Sequence, residues 1–227
     1  MMAAARPAAV EVPRRPRGRP RKTADALDEG NRRQELLRGA ARLFRDKGFA
    51  ATTTRDIAAA AGMRSGSLFY HFESKAALLF AVMEQGMRAA LLSQAQALQS
   101  ALAQPASPEA LLRKLVRTHF DVLLGPGSDF IPVMLYEWRS LTLAQRADIA
   151  RLQRDYEAAW ADALQALCSA GRIRADARVA RLMFLGALNW SVQWYKPKQG
   201  ASLDELTDIA MQLFLPTPAT ATDRRPR

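Results

Sequence analysis

Residues 52–78 read Thr52-Thr-Thr-Arg-Asp-Ile-Ala-Ala-Ala-Ala-Gly-Met-Arg-Ser-Gly-Ser-Leu-Phe-Tyr-His-Phe-Glu-Ser-Lys-Ala-Ala-Leu78. This stretch encodes two short helices. Thr53 can cap the free backbone amides of the first. Asp56, three residues on, completes a box-like pair near the positive helix end. Ile57, Ala58 and Ala61 fall on its inward side. Gly62-Met63 makes a tight turn, and another short helix follows over about 65–72. Two such helices joined by a Gly-containing turn describe a helix-turn-helix. In that motif the second helix enters the major groove of DNA and the first lies across the backbone. The leading end of the second helix offers Arg64, Ser65, Gly66 and Ser67. Arg64 can reach a guanine edge or a phosphate, and Gly66 leaves space for close approach. Leu68 and Phe72 should pack inward, leaving Tyr70 and His71 near the backbone. Lys75, opening the next helix, is placed for a phosphate. The pattern alone fits a solvated helical hairpin as well as it fits a DNA reader.

Outward from this stretch the chain is helical in pattern, without runs of alternating β-branched residues. Upstream, Leu36, Ala40, Leu43 and Phe44 share one face of a helix over about 31–47, which Gly48 stops. Downstream, Ser74 caps a helix to about 100 whose stripe is Leu79, Val82, Met83, Gly86, Met87 and Ala90. Further helices are expected over about 108–124, 129–140, 142–170, 177–195 and 202–215. The eighth, 177–195, is apolar nearly all round and should be buried on several sides. The reading is an all-α chain of about nine helices. A three-helix helix-turn-helix domain spans 29–78, and a larger helical domain spans 79–215. Residues 1–28 and 216–227, with many Pro, Ala and Arg and no hydrophobic period, read as a disordered basic arm and a disordered tail.

The 227 residues carry a net charge of +11, with 49% hydrophobic and 24% charged residues, an ordinary globular mixture. The charge is concentrated at the front: residues 1–23 hold seven basic groups and one acid. A basic end on a near-neutral body points to a polyanion partner. The longest strongly apolar uncharged stretch, Leu182 to Tyr195, is 14 residues, short of the ~20 that a membrane span needs. The N-terminus lacks the apolar core of a signal peptide. A cytoplasmic protein without membrane contact is expected. A single cysteine, Cys168, allows no internal disulfide, and two histidines, His71 and His119, do not make a zinc cluster. The sequence shows no nucleophile–base pair, no metal-ligand spacing and no phosphate-cradling Gly loop, so an enzyme, a metal and a cofactor are not expected.

The run 52–78 resembles the DNA-binding signature of TetR-family transcriptional regulators, over roughly residues 32–80. The resemblance implies DNA contacts at Thr53, Thr54, Arg64, Ser65, Ser67, Tyr70, His71 and Lys75. Phe69 departs from the family, which commonly has Tyr there, so no phosphate contact by a hydroxyl is expected at that position. In the arm, Pro16-Arg17-Gly18-Arg19-Pro20 followed by Arg21-Lys22 resembles an AT-hook core. Its prolines favour an extended path, and Gly18 lets the backbone sit deep in a narrow minor groove. Arg17 and Arg19 can then enter that groove's negative potential.

The rest of the chain resembles the ligand-binding and dimerisation domain of the same family, with helices eight and nine forming a four-helix interface in a homodimer. Residues 136–146 and 188–197 are similar to a subgroup that governs lipid, steroid or aromatic-acid catabolism and answers to acyl-CoA thioesters. Candidate effector contacts are His119, Trp138, Arg139 and Tyr156; His119 also reads as a hydrogen-bonded core histidine. Trp190 and Trp194 lean towards the dimer interface. The resemblance implies a one-component repressor released from a palindromic operator by a small molecule. The competing reading is an architectural DNA binder without an effector.

Overall fold

A computed structural model describes residues 22–102, 107–197 and 200–215. Among these residues are nine α-helices and no strand: α1 Lys22–Ala51, α2 Thr54–Ala60, α3 Ser67–His71, α4 Lys75–Leu102, α5 Pro108–Leu124, α6 Phe130–Glu137, α7 Leu143–Ser169, α8 Ala177–Trp190 and α9 Leu203–Phe214. Short 3-10 turns follow α6 (Trp138–Ser140) and α8 (Ser191–Gln193). Local chemistry sets most of these starts. Thr53 and Asp56 form a reciprocal capping box on α2, as Thr142 and Gln145 do on α7 and Ser202 and Glu205 on α9. Ser107 accepts from the Ala110 amide at 3.2 Å and sits before Pro108 in the first turn of α5. Helix α8 ends five residues before the expected 195, because the Ser191 hydroxyl donates to the Leu188 carbonyl at 2.6 Å and draws the last turn tight.

Helix α1 begins at Lys22, nine residues before the expected Asn31. The reading of 1–28 as disordered therefore does not hold for 22–28. That segment carries Ala, Asp and Leu and no proline, so propensity alone extends the helix although no apolar stripe marks it. Residues 1–21, with Arg17 and Arg19, and the tail 216–227 lie outside the described residues. At the other end Gly48 takes φ +81°, and α1 turns there. Residues 1–21 apart, the front of the chain is held by a small core of Leu36, Leu37, Ala40, Phe44, Ile57 and Leu68.

Helix α4 is the axis of the molecule and packs against α1, α5, α6 and α7. Over Lys75–Gln99 it is long and apolar enough, by length and composition, to cross a membrane, with a mean hydropathy of 1.2. The sequence reading missed this because Glu84 and Arg88 interrupt the run. Leu78, Leu79, Val82, Met83, Met87 and Ala90 are buried in the bundle core. Gly86 lets α6 come close: a methyl there would stand 2.7 Å from Phe130 Cβ. Cys168 is structural in its contacts, its thiol donating to the Ala175 carbonyl at 3.2 Å.

Within the single chain one side of α8 is covered, and the side expected to be covered by a second subunit is exposed. Phe184, Leu185 and Leu188 face the core, and Phe184 stacks on Phe214 of α9 with centroids 4.1 Å apart. Val179, Leu182, Met183 and Trp190 recur at helical spacing on the other side and are exposed, Met183 and Trp190 to 65% each. Ile209 and Leu213 of α9 and Trp194 extend the same exposed apolar set.

Candidate DNA interface and effector cavity

The two helices of the reading unit are joined over Ala61–Gly66. Gly62 adopts φ +67°, and the Met63 amide donates to the Ala58 carbonyl at 2.8 Å, which closes the turn. Leu68 and Phe72 are buried as expected, and Arg33 of α1 stacks over the Phe72 ring at 5.0 Å. The outward surface then carries Arg64, Ser65 and Tyr70, all exposed, with Ser67 and His71 half-buried beside them. A methyl group added at Gly66 would meet no protein atom within 4 Å, so the space this glycine leaves lies on the outer side. The Tyr70 hydroxyl donates to Glu29 of α1 at 3.2 Å, and its ring meets His71 edge-on. Thr53 is exposed and Thr54 half-buried at the start of α2. Sequence reasoning passed over Phe69, which is 57% exposed on the reading helix. Its exposure was legible in principle, since it follows the inward Leu68 directly.

Lys75 is not a free cation. Its Nζ donates to the carbonyls of Phe49 and Thr52, both at 2.7 Å, and stands 4.3 Å from the Phe49 ring centroid. The buried Thr52 hydroxyl in turn donates to the Gly48 carbonyl at 2.8 Å. Lys75 thus bolts the end of α1 to the start of α4 and keeps one N–H of three for anything else, so it is a positioning residue first. Lys75→Met, which keeps the stem, should lower stability by about 2 kcal/mol through two lost charge-assisted bonds. Arg64→Ala should leave melting unchanged and cost about 1–3 kcal/mol in operator binding. Thermal melts and binding titrations on the two variants check this. Wild-type melting in Lys75→Met with a shallower salt dependence would restore the phosphate role.

The second feature is a cavity of about 50 Å³ in the core of the larger domain. Met87, Ala90, Val122, Ile131, Met134 and Leu185 make its apolar wall; His119, Gln153, Tyr156, Glu157 and Asn189 make its polar part. His119 is the hydrogen-bonded core residue that one of the two sequence readings gave, and it also lines this cavity. Its Nε2 lies 3.1 Å from Asn189 Oδ1 and its Nδ1 lies 3.0 Å from the Tyr156 hydroxyl. Burial pushes its pKa down to about 4, against the Asn189 hydrogen bond, which acts to raise it; burial pushes the Tyr156 hydroxyl well up. The ring is therefore neutral at pH 7. An amide oxygen only accepts, so Nε2 carries the proton and Nδ1 accepts from Tyr156.

Trp138 and Arg139 do not join this cavity. Continued α-helical geometry would have put Trp138 on the face of Ile131 and Met134. The chain instead tightens into a 3-10 turn at 138–140, leaving Trp138 packed on the core elsewhere and Arg139 exposed. What α6 does bring is a link between the two halves. Ile131 and Met134 wall the cavity. Just before the helix, Asp129 pairs with Arg45 of α1. At its end Glu137 Oε1 accepts from the Phe49 amide at 2.8 Å, next to the Lys75 bolt.

Two family models match in tandem: one described as "Bacterial regulatory proteins, tetR family" over residues 36–82, and one as "Tetracyclin repressor-like, C-terminal domain" over 105–217. The HTH-type transcriptional repressor KstR2 of Rhodococcus jostii is 30% identical over 194 residues, covering 84% of this chain and 93% of that protein. The chain belongs to the TetR family of transcriptional regulators. KstR2 of Mycolicibacterium smegmatis is 32% identical to this TetR-family chain over 187 residues, 82% of this chain and 89% of that one. Among solved structures, AibR in complex with isovaleryl coenzyme A and operator DNA superposes with a TM-score of 0.72 at 31% identity, over 82% of this chain and 98% of that chain. TetR-type proteins are regulators and not enzymes.

Proposed function

We propose that this TetR-family repressor grips a palindromic operator as a homodimer and lets go when a small acyl thioester enters its core cavity. The two reading helices would then occupy successive major grooves, ~34–36 Å or a multiple apart. Arg64, Ser65, Ser67, Tyr70 and His71 face the groove and its backbone, Thr53 and Thr54 meet phosphates at the start of α2, and Phe69 offers apolar contact to a thymine methyl. Arg17 and Arg19 of the arm insert into the flanking minor groove. The exposed apolar faces of α8 and α9 pair between subunits, and the protein works in the cytoplasm. The neighbouring AibR complex, with its acyl-CoA and operator, supports the effector class.

The observation that carries this reading is the double attachment of α6. Its inner face walls the cavity, and both of its ends are tied to α1 through Asp129–Arg45 and Glu137–Phe49. A cavity of about 50 Å³ holds roughly three or four water-sized groups. A larger acyl group must push the walls apart, and core packing transmits rather than absorbs such a push. The moving wall is α6, so the displacement reaches α1 and the spacing of the reading helices. The ligand then favours the state with the wrong separation by its differential affinity.

The test is operator binding, on promoter DNA adjoining the chain's own gene, titrated with isovaleryl-CoA and longer acyl-CoA thioesters. Wild type should bind a discrete site and release it. Glu137→Ala should still bind, and should need roughly ten-fold more effector for release, because coupling of that kind is worth about 1–3 kcal/mol. Binding with little site preference that no thioester changes would leave the architectural reading instead.

A further inference from the structure

We propose that Glu29 of α1 is a brake on DNA affinity: it holds the hydroxyl proton of Tyr70 that a DNA phosphate would otherwise take, and it sets a carboxylate against that phosphate. This rests on the reading of Tyr70 as a DNA-facing residue and names what limits its contact. The first observation is the proton. Tyr70 is 74% exposed on the reading helix, and its hydroxyl donates to Glu29 Oε1 at 3.2 Å. A phenol has one proton to give. While Glu29 accepts it, a phosphate oxygen cannot. Gripping the DNA backbone through Tyr70 therefore means breaking this bond first. The ring is steadied from another side, edge-on against His71 with centroids 5.2 Å apart. Glu29 thus governs the hydroxyl rather than the place of the ring, which makes it a positioning residue.

The second observation is charge. Between α1 and α3 lies an open groove of about 700 Å³, lined by Glu29, Arg32 and Glu35 from α1 and by Ser67, Tyr70 and His71 from α3. Two carboxylates face one guanidinium there, on a chain whose net charge is +11. A phosphate bonded to the Tyr70 hydroxyl would stand about 5 Å from the Glu29 carboxylate. Repulsion between unit charges at that distance in water is worth roughly a four-fold loss of affinity. Phosphates line every sequence, so the penalty falls on operator and other DNA alike. It lowers the general hold that so basic a chain has on DNA.

The full chain is titrated by fluorescence anisotropy, at low and at physiological salt, on two duplexes: promoter DNA adjoining the chain's own gene, and a scrambled duplex of the same composition. Glu29→Gln keeps the shape and removes the charge. It should tighten binding to both duplexes by roughly four-fold for each reading unit engaged, with a smaller gain at the higher salt. Damage to the fold would weaken binding, so a gain cannot come from lost structure. Two further variants separate the held hydroxyl from bulk charge. Glu35→Gln removes the other carboxylate of the groove, about 9 Å further along α1, and should change affinity by less than roughly two-fold. In a Tyr70→Phe background, Glu29→Gln should give a clearly smaller gain than it does beside Tyr70, because only the charge is then removed. Unchanged or weaker binding by Glu29→Gln overturns the proposal, as does an equal gain from Glu35→Gln or an undiminished gain in the Tyr70→Phe background. Tyr70→Phe leaving binding unchanged even in the Glu29→Gln chain is a different failure: it takes Tyr70 off the DNA-facing surface, and this inference with it.

Discussion

Replacing Leu182 and Met183 together by aspartate should yield a folded monomer whose operator affinity has fallen by roughly two to four decades. Both residues are exposed on α8, at 58% and 65%, in a row with Val179 and Trp190. A soluble chain seldom leaves such a contiguous apolar face to water. Two charges in the middle of a paired face would have to be desolvated without partners, which opposes association strongly. Each subunit alone still reads one half-site, and what disappears is the gain from tethering two readers, typically 10²–10⁴. The choice of position matters. Leu185 and Leu188, on the same helix, are 8% and 3% exposed and point into their own bundle. Aspartate there would unfold the chain and report nothing about pairing. Sedimentation at micromolar concentration together with operator titration checks the result. A wild-type chain that sediments as a monomer would end the dimer reading.

His119 should give the protein an acid limb between pH 6.5 and pH 4. Its folded pKa is about 4 against an ordinary 6.5. Between those values the unfolded chain binds a proton that the native chain does not, so stability falls as pH falls. The full contribution is present above pH 6.5. By pH 4 about 3 kcal/mol of it has gone. Below pH 4 this group adds no further loss. The helix-capping carboxylates Asp56 and Glu205, held below their usual range by the backbone amides and hydroxyls of Thr53 and Ser202, come into play at lower pH. His119→Gln should therefore flatten the upper part of the limb and keep the lower part. Denaturant melts between pH 7 and pH 3.5 separate the two. Superimposable pH profiles for wild type and variant would show that the imidazole is not held neutral by burial.

From α2 onward helix starts were legible, because their causes are local. Thr53 with Asp56, Ser74, Ser107 and Ser202 act within three residues, and the expected 108–124 for α5 is what the chain adopts. The apolar stripes of α4, α5 and α7 were legible for the same reason, since helical spacing fixes which residues share a side. The roles that escaped are those set by distant partners. Lys75 looked like a phosphate contact because its neighbours in sequence are DNA-facing; its bolt runs to carbonyls 23 and 26 residues away. His119 meets Tyr156 and Asn189 across 37 and 70 residues, and Asn189 carried no local signal of its own. Trp138 and Arg139 were misplaced by one change of helical pitch. Phe69 was set aside because of the residue it replaces, although its position on α3 put it outward.

The closure of the α8–α9 core within a single chain has a genetic consequence. Phe184, Leu185 and Leu188 are buried by the chain's own α9 and neighbours, and Phe184 stacks on Phe214 without help from a second copy. In the proposed dimer, subunits paired through the opposite side of α8 could part and re-pair as folded units. A cell holding two alleles would then contain mixed dimers. If one allele has lost its reading residues, as with Arg64→Ala, half or more of the dimers carry a defective half. A grip that depends on two half-sites fails when either is missing. Such alleles should be dominant over wild type, whereas alleles that destroy the core, and never enter a dimer, should be recessive.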